Sequence, residues 1–131
     1  EINNILSQVA DFVVMLDVNN KDINIRLVYD ENRIWSAELG SGFEKFVAGL
    51  AIRVALINIS NLPRPNFIAI DEGFTSMDAD NMSKLPIVFD YLRHTFDFSL
   101  IISHLEQIRD FVDIILDLKK EEDDFSKIVF K

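Results

Sequence analysis

Phe67-Ile68-Ala69-Ile70-Asp71-Glu72 places two adjacent carboxylates directly after four apolar residues, the pattern of a buried strand that ends in acid. Acids at the C-terminal edge of a parallel sheet face the crevice in which open α/β sheets bind nucleotides. There one carboxylate helps to hold Mg²⁺ through its water shell and the next polarises an attacking water. The segment has the form of a Walker B motif, with Asp71 as the Mg²⁺ acid and Glu72 as the general base. The plainer alternative is that the acids only solubilise a strand end, because short motifs of this kind also match by chance. A second apolar run, Leu100-Ile101-Ile102, ends in Ser103-His104 and puts an imidazole at the edge of an adjacent strand. From there His104 can donate to a γ-phosphate oxygen; the alternative is a satisfied structural histidine. His94 lies in the charged stretch 91–97 and belongs to a solvated face.

A third candidate is Gly40-Ser41-Gly42-Phe43-Glu44-Lys45, at the start of an apolar helix. A helix N-terminus flanked by small residues offers free N–H groups and the positive end of the dipole to a phosphate, and Ser41 adds a hydroxyl. The same residues also form a capping box, Ser41 with Glu44 three positions on, which needs no ligand. The two readings are compatible. Between the acids and the second run, Ser76-Met77-Asp78 opens a loop.

The elements that position these residues follow from periodicity. Ile2, Ile5, Leu6, Val9, Phe12 and Val13 recur at helical spacing, so the chain is expected to begin inside a helix that continues from something longer. Residues 12–18 and 23–30 are rich in β-branched types and predict an antiparallel hairpin turning at Asn19-Asn20-Lys21-Asp22. Residues 43–59 predict a largely buried helix, with Ala48, Gly49, Ala51 and Ala55 between larger apolar side chains. Leu62-Pro63-Arg64-Pro65-Asn66 stops it and forces an extended entry into the buried strand 67–70. A helix over 80–95, a buried run over 99–102, a short helix over 105–110 and strands over 112–118 and 126–130 complete an alternating α/β pattern. Residues 119–124 form the polar turn between the last two strands.

At 131 residues the chain is one domain in size. Its 49% hydrophobic content lies at the top of the ordinary range and points to apolar surface that meets a partner or another part of the same protein. A formal charge of −9 argues against a broad nucleic-acid patch, since phosphate neutralisation needs clustered Lys and Arg. With no cysteine, disulfide frameworks, thiolate metal sites and redox motifs are excluded. No run reaches the length of a membrane span and no secretory pattern opens the chain. The expected location is therefore cytoplasmic and nucleoid-associated, or intracellular in a virus-infected host.

In order, Ser41-Gly42-Phe43-Glu44-Lys45, Ile70-Asp71-Glu72-Gly73-Phe74, Ser76-Met77-Asp78 and Ile102-Ser103-His104 resemble the C-terminal lobe of the ABC-type ATPase heads of SMC and SbcC-like double-strand-break repair proteins. The resemblance covers nearly the whole chain. It implies an α/β fold, the C-terminal half of a P-loop NTPase with mainly parallel core strands, led by the end of a coiled-coil arm (1–13) and a β-hairpin. Residues 40–60 carry the signature segment and its helix, 67–78 the Walker B motif and D-loop, and 99–104 the switch-histidine strand. By resemblance Ser41, Gly42, Phe43 and Glu44 approach the γ-phosphate of ATP on the opposite head. Asp71 and Glu72 serve Mg²⁺ and water, Asp78 crosses the dimer interface, and His104 senses the γ-phosphate. The implied cofactors are ATP and Mg²⁺. The implied partners are an N-terminal ATPase lobe, a second head, a nuclease and DNA held by the full complex, with no membrane. Phe43 stands where many relatives have a second glycine, and Gly40 where an apolar residue is usual. No G-x-x-x-x-G-K-[ST] occurs among the four glycines, so the chain alone is expected to be inactive; in this family that loop lies in the N-terminal lobe. Two other classes compete: a transporter's nucleotide-binding domain, which predicts a glutamine- and arginine-rich signature helix, and a non-enzymatic interaction module.

Overall fold

Ser41 starts the longest helix, α2 (Gly42–Ile59), and the expected capping box is formed: the Ser41 hydroxyl accepts from Glu44 N and the Glu44 side chain accepts from Ser41 N. The structure is a computed structural model and describes residues 1–75, 77–120 and 126–130. Ser76 and residues 121–124 of the expected polar turn lie outside the described residues. Phe43, Val47, Leu50, Ala51 and Val54 of α2 are buried. The helix thus forms the centre of the core, as its small interleaved residues predict.

Ahead of α2 the chain departs from expectation. The helix expected over 1–13 is confined to α1 (Ile2–Leu6). Asn3 ends it by bonding across to the chain ahead: its Oδ1 accepts from Val14 N at 2.7 Å and its Nδ2 donates to Val14 O at 3.0 Å. Val9 and Phe12 still reach the core, but from a turn. The expected antiparallel hairpin does form, β1 (Val13–Asn19) with β2 (Asp22–Asp30), and β3 (Arg33–Ser36) extends it into a three-stranded meander. The third strand is only four residues long, and Trp35 lies opposite Leu27.

After α2 come β4 (Phe67–Asp71), α3 (Ala79–Met82), α4 (Leu85–Thr95) and β5 (Phe98–Ile102). The helix expected over 80–95 is broken because Pro86 stands in the first turn of α4. A proline lacks the N–H for the preceding turn, and its ring clashes with the carbonyl four residues back. β4 and β5 pair in parallel with Asp71 level with Ile102. The expected short helix over 105–110 is a 3₁₀ turn over Glu106–Phe111. The strand expected over 112–118 starts later, as β6 (Leu116–Lys120), and pairs antiparallel with β7 (Ser126–Phe130). Arg93 donates to Phe111 O at 2.8 Å and to Asp113 at 3.2 Å, tying that stretch to α4 and away from the ladder.

The strands β4 and β5 are covered on one face only. Ile70 is buried and Ile68 and Ile101 pack on the core, whereas Phe67, Phe98, Leu100 and Ile102 stay about half exposed. Phe67 and Phe98 stack with ring centroids 5.1 Å apart. Among the described residues no helix is long and apolar enough to cross a membrane.

The turn after β4 is held from beneath. Phe74 is fully buried between Phe46 and Phe89, at centroid distances of 4.7 and 5.5 Å. A Cβ on Gly73 would fall 2.7 Å from Ile70 Cγ2 and 2.8 Å from Phe46 Cε2. Gly73→Ala is therefore expected to cost about 1–3 kcal/mol through overpacking, read as a lowered denaturant midpoint at constant slope. Unchanged stability would show that the turn yields to a methyl group.

Candidate functional site

The parallel register brings the ends of β4 and β5 level, so the residues that leave them meet. Glu72 follows β4, and its N–H continues the ladder by donating to Ile102 O at 2.9 Å. Its φ is 52°, in the left-handed region that non-glycine residues seldom adopt and that clusters at functional sites. His104 leaves β5 and places Nδ1 2.9 Å from Glu72 Oε2. Thr75 Oγ1 donates to the same oxygen at 2.7 Å. These two donors, the Thr75 hydroxyl first and His104 second, lower the Glu72 pKa from its ordinary value, because each favours the ionised carboxylate. Both side chains remain exposed to solvent.

Asp71 is exposed at the end of β4, and among the described residues its carboxylate takes no hydrogen bond or ion pair. It borders a groove of about 590 Å³ between α2 and β4, shared with Gly42, Lys45, Arg53 and Gly73. Asp71 and Gly42 therefore face one cleft, a juxtaposition that their separation in sequence does not reveal.

The other expected residues are placed less uniformly. Ser41 and Gly42 lie at the open N-terminus of α2. The Phe43 side chain is buried, so only its backbone N–H is available to a ligand. Glu44 is committed to the fold: Oε2 accepts from Ser41 N at 2.7 Å and Oε1 accepts from the Tyr29 hydroxyl. Burial, with this bond second, pushes the Tyr29 pKa up. Tyr29 thus ties β2 to the start of α2, and no local motif announces it. Asp78 caps α3 by accepting from Asn81 N at 2.8 Å. Among the described residues the polar contacts of His94 are within its own helix, to Asp90, as expected for a solvated face. Thr75 is the residue that motif reading passes over; a hydroxyl side chain three positions after an acid within a turn is the signal that finds it.

The fold is that of SMC head domains of known structure. An SMC ATPase structure described for ATP-driven dimerization and DNA-stimulated activation superposes with a TM-score of 0.75 at 17% identity, covering 98% of this chain and 79% of that one. The SMC head domain from Thermotoga maritima gives a TM-score of 0.66 at 23% identity, covering 99% and 45%. In sequence the chain is 35% identical over 114 residues, 87% of its length, to an uncharacterized protein of Acanthamoeba polyphaga mimivirus. It is 28% identical over 101 residues, 77% of its length, to the DNA double-strand break repair Rad50 ATPase of Methanocaldococcus jannaschii. The chain spans 8% and 10% of these two relatives. No protein-family model matches it.

Proposed function

We propose that the chain is the C-terminal half of the ATP-hydrolysing head of an SMC/SbcC-like DNA repair or recombination protein, in which ATP turnover between paired heads drives DNA-end processing or tethering. The observation that carries this reading is the meeting of Glu72 and His104 at the level ends of two parallel strands. A carboxylate with an imidazole at 2.9 Å, on the sheet edge where α/β folds bind nucleotides, suits a base and a phosphate-orienting group. Asp71 fits Mg²⁺ as an exposed hard-oxygen donor, without a partner among the described residues, beside an open groove, because this ion keeps several waters and takes only one or two carboxylates. When bound with ATP, the ion neutralises charge on the phosphate oxygens.

In this proposal Glu72 polarises the attacking water and Asp71 holds the water shell of the ion. With Nδ1 of His104 turned to Glu72, Nε2 is the ring nitrogen left for a phosphate oxygen, to which it donates when the ring carries both protons. Ser41 and the N–H groups of Gly42 and Phe43 reach the γ-phosphate held by the opposite head, and Asp78 crosses between heads. The half-exposed face of Phe67, Phe98, Leu100 and Ile102 receives the N-terminal lobe that carries Walker A. A nuclease and DNA join through the full complex.

Ser41→Arg in the full-length protein tests the arrangement. An arginine at the cap costs the helix roughly 1 kcal/mol, too little to unfold a helix buried as deeply as α2. ATP binding to a single head is expected to stay normal while ATP-driven pairing, followed by light scattering, is lost. A variant that pairs like the parent removes Ser41 from the site.

A further inference from the structure

We infer that Thr75 is a positioning residue for the base: its hydroxyl and the His104 imidazole together hold one oxygen of Glu72, so that the other oxygen, Oε1, is the one presented to the attacking water. The inference rests on the reading of Glu72 as the general base and adds to it which oxygen acts and what aims it. Thr75 Oγ1 lies 2.7 Å from Glu72 Oε2 and 2.8 Å from Glu72 O. A threonine hydroxyl has one proton, so these two oxygens share it. His104 Nδ1 approaches Oε2 at 2.9 Å. The Thr75 hydroxyl therefore donates to Oε2 and the His104 ring faces the same oxygen, while among the described residues Oε1 accepts none.

Both groups are fixed to the same frame as the carboxylate. Thr75 N–H closes the turn onto Glu72 O at 3.3 Å, and Glu72 N–H is bonded to β5 through Ile102 O. The intervening Phe74 is locked in the core, and Gly73 has no room for a side chain. Thr75 is thus held from the β4 side and His104 from the β5 side. A glutamate with free torsions presents either oxygen in many directions, and general-base efficiency requires one oxygen within hydrogen-bond reach of the water. Thr75 itself is exposed, so its hydroxyl is not needed to fill the core, and its two acceptors belong to a single residue.

The test is Thr75→Val in the full-length protein, a change of similar shape that deletes the donor. The expected result is a fall in kcat of about tenfold, less than the roughly 100-fold or more that loss of the general base itself costs, with KM for ATP unchanged within about twofold, the mark of an interaction made in the transition state. Thr75→Ser should restore kcat, since it returns the hydroxyl without the methyl. Combined with Glu72→Gln, Thr75→Val should cause no further loss, because the two residues act as one unit. An unchanged kcat in Thr75→Val, a parallel rise in KM, or failure of serine to rescue would overturn the inference and leave Glu72 as the base. Normal turnover in Glu72→Gln would instead overturn the parent reading.

Discussion

Glu72→Gln in the full-length protein should slow ATP hydrolysis by roughly 100-fold or more, the range for loss of a general base, while ATP binding stays intact and ATP-paired heads persist. The substitution is clean because of how the carboxylate is held. Glutamine keeps an oxygen to accept from the Thr75 hydroxyl and from His104 Nδ1, the two contacts that orient Oε2. The left-handed backbone at this position is as accessible to glutamine as to glutamate. What disappears is the negative charge that takes a proton from water. Stability should change little, since the side chain is exposed and surface changes usually stay within about 0.5 kcal/mol. Single-turnover and steady-state assays check the result. Unchanged turnover together with weakened ATP affinity would show that Glu72 is not the base and that the Walker B reading is shifted.

The 131-residue chain by itself should bind Mg-ATP no better than about 1 mM, a binding free energy of only about 4 kcal/mol, and should not hydrolyse it. A phosphate cradle needs a nest of backbone N–H groups around the α- and β-phosphates and a lysine on the β- and γ-phosphates, and no G-x-x-x-x-G-K-[ST] occurs in the chain. Lys45 and Arg53 do line the groove beside Asp71. Both are exposed on α2, where solvent screens them, and Asp71 and Glu72 beside them oppose a polyanion. The open face of Phe67, Phe98, Leu100 and Ile102 should make the isolated chain self-associate, and co-expression with the N-terminal lobe should restore solubility and activity together. Calorimetric titration with Mg-ATP is the direct measurement, and a dissociation constant in the low-micromolar range would sink this prediction.

Features whose determinants lie within a few residues of one another were legible in the sequence. The Ser41 and Glu44 capping box is complete in four residues and forms as expected. Four apolar residues ahead of Asp71-Glu72 give β4, and a similar run gives β5. The two elements that differ most from expectation failed for a related reason. Val9, Phe12 and Val13 keep a helical rhythm, but the bonds from Asn3 to Val14 outweigh that rhythm and send the chain into β1. In the region 80–95 the apolar spacing is helical throughout, yet Pro86 stops one helix and starts another.

The sequence by itself thus determined which residues carry charge, where strands and caps begin, and that the acids and His104 each close a strand. Only the tertiary structure decided that these ends are level, that Thr75 and His104 share Oε2 of Glu72, that Tyr29 braces Glu44, and that one face of β4 and β5 is left open. The physical reason is that a parallel register has no local hairpin to set it. The pairing of Asp71 with Ile102 depends on how α3 and α4 cross back over the core, and that crossing is set by the packing of Phe74, Leu85, Phe89 and Leu92, residues whose partners are distant along the chain.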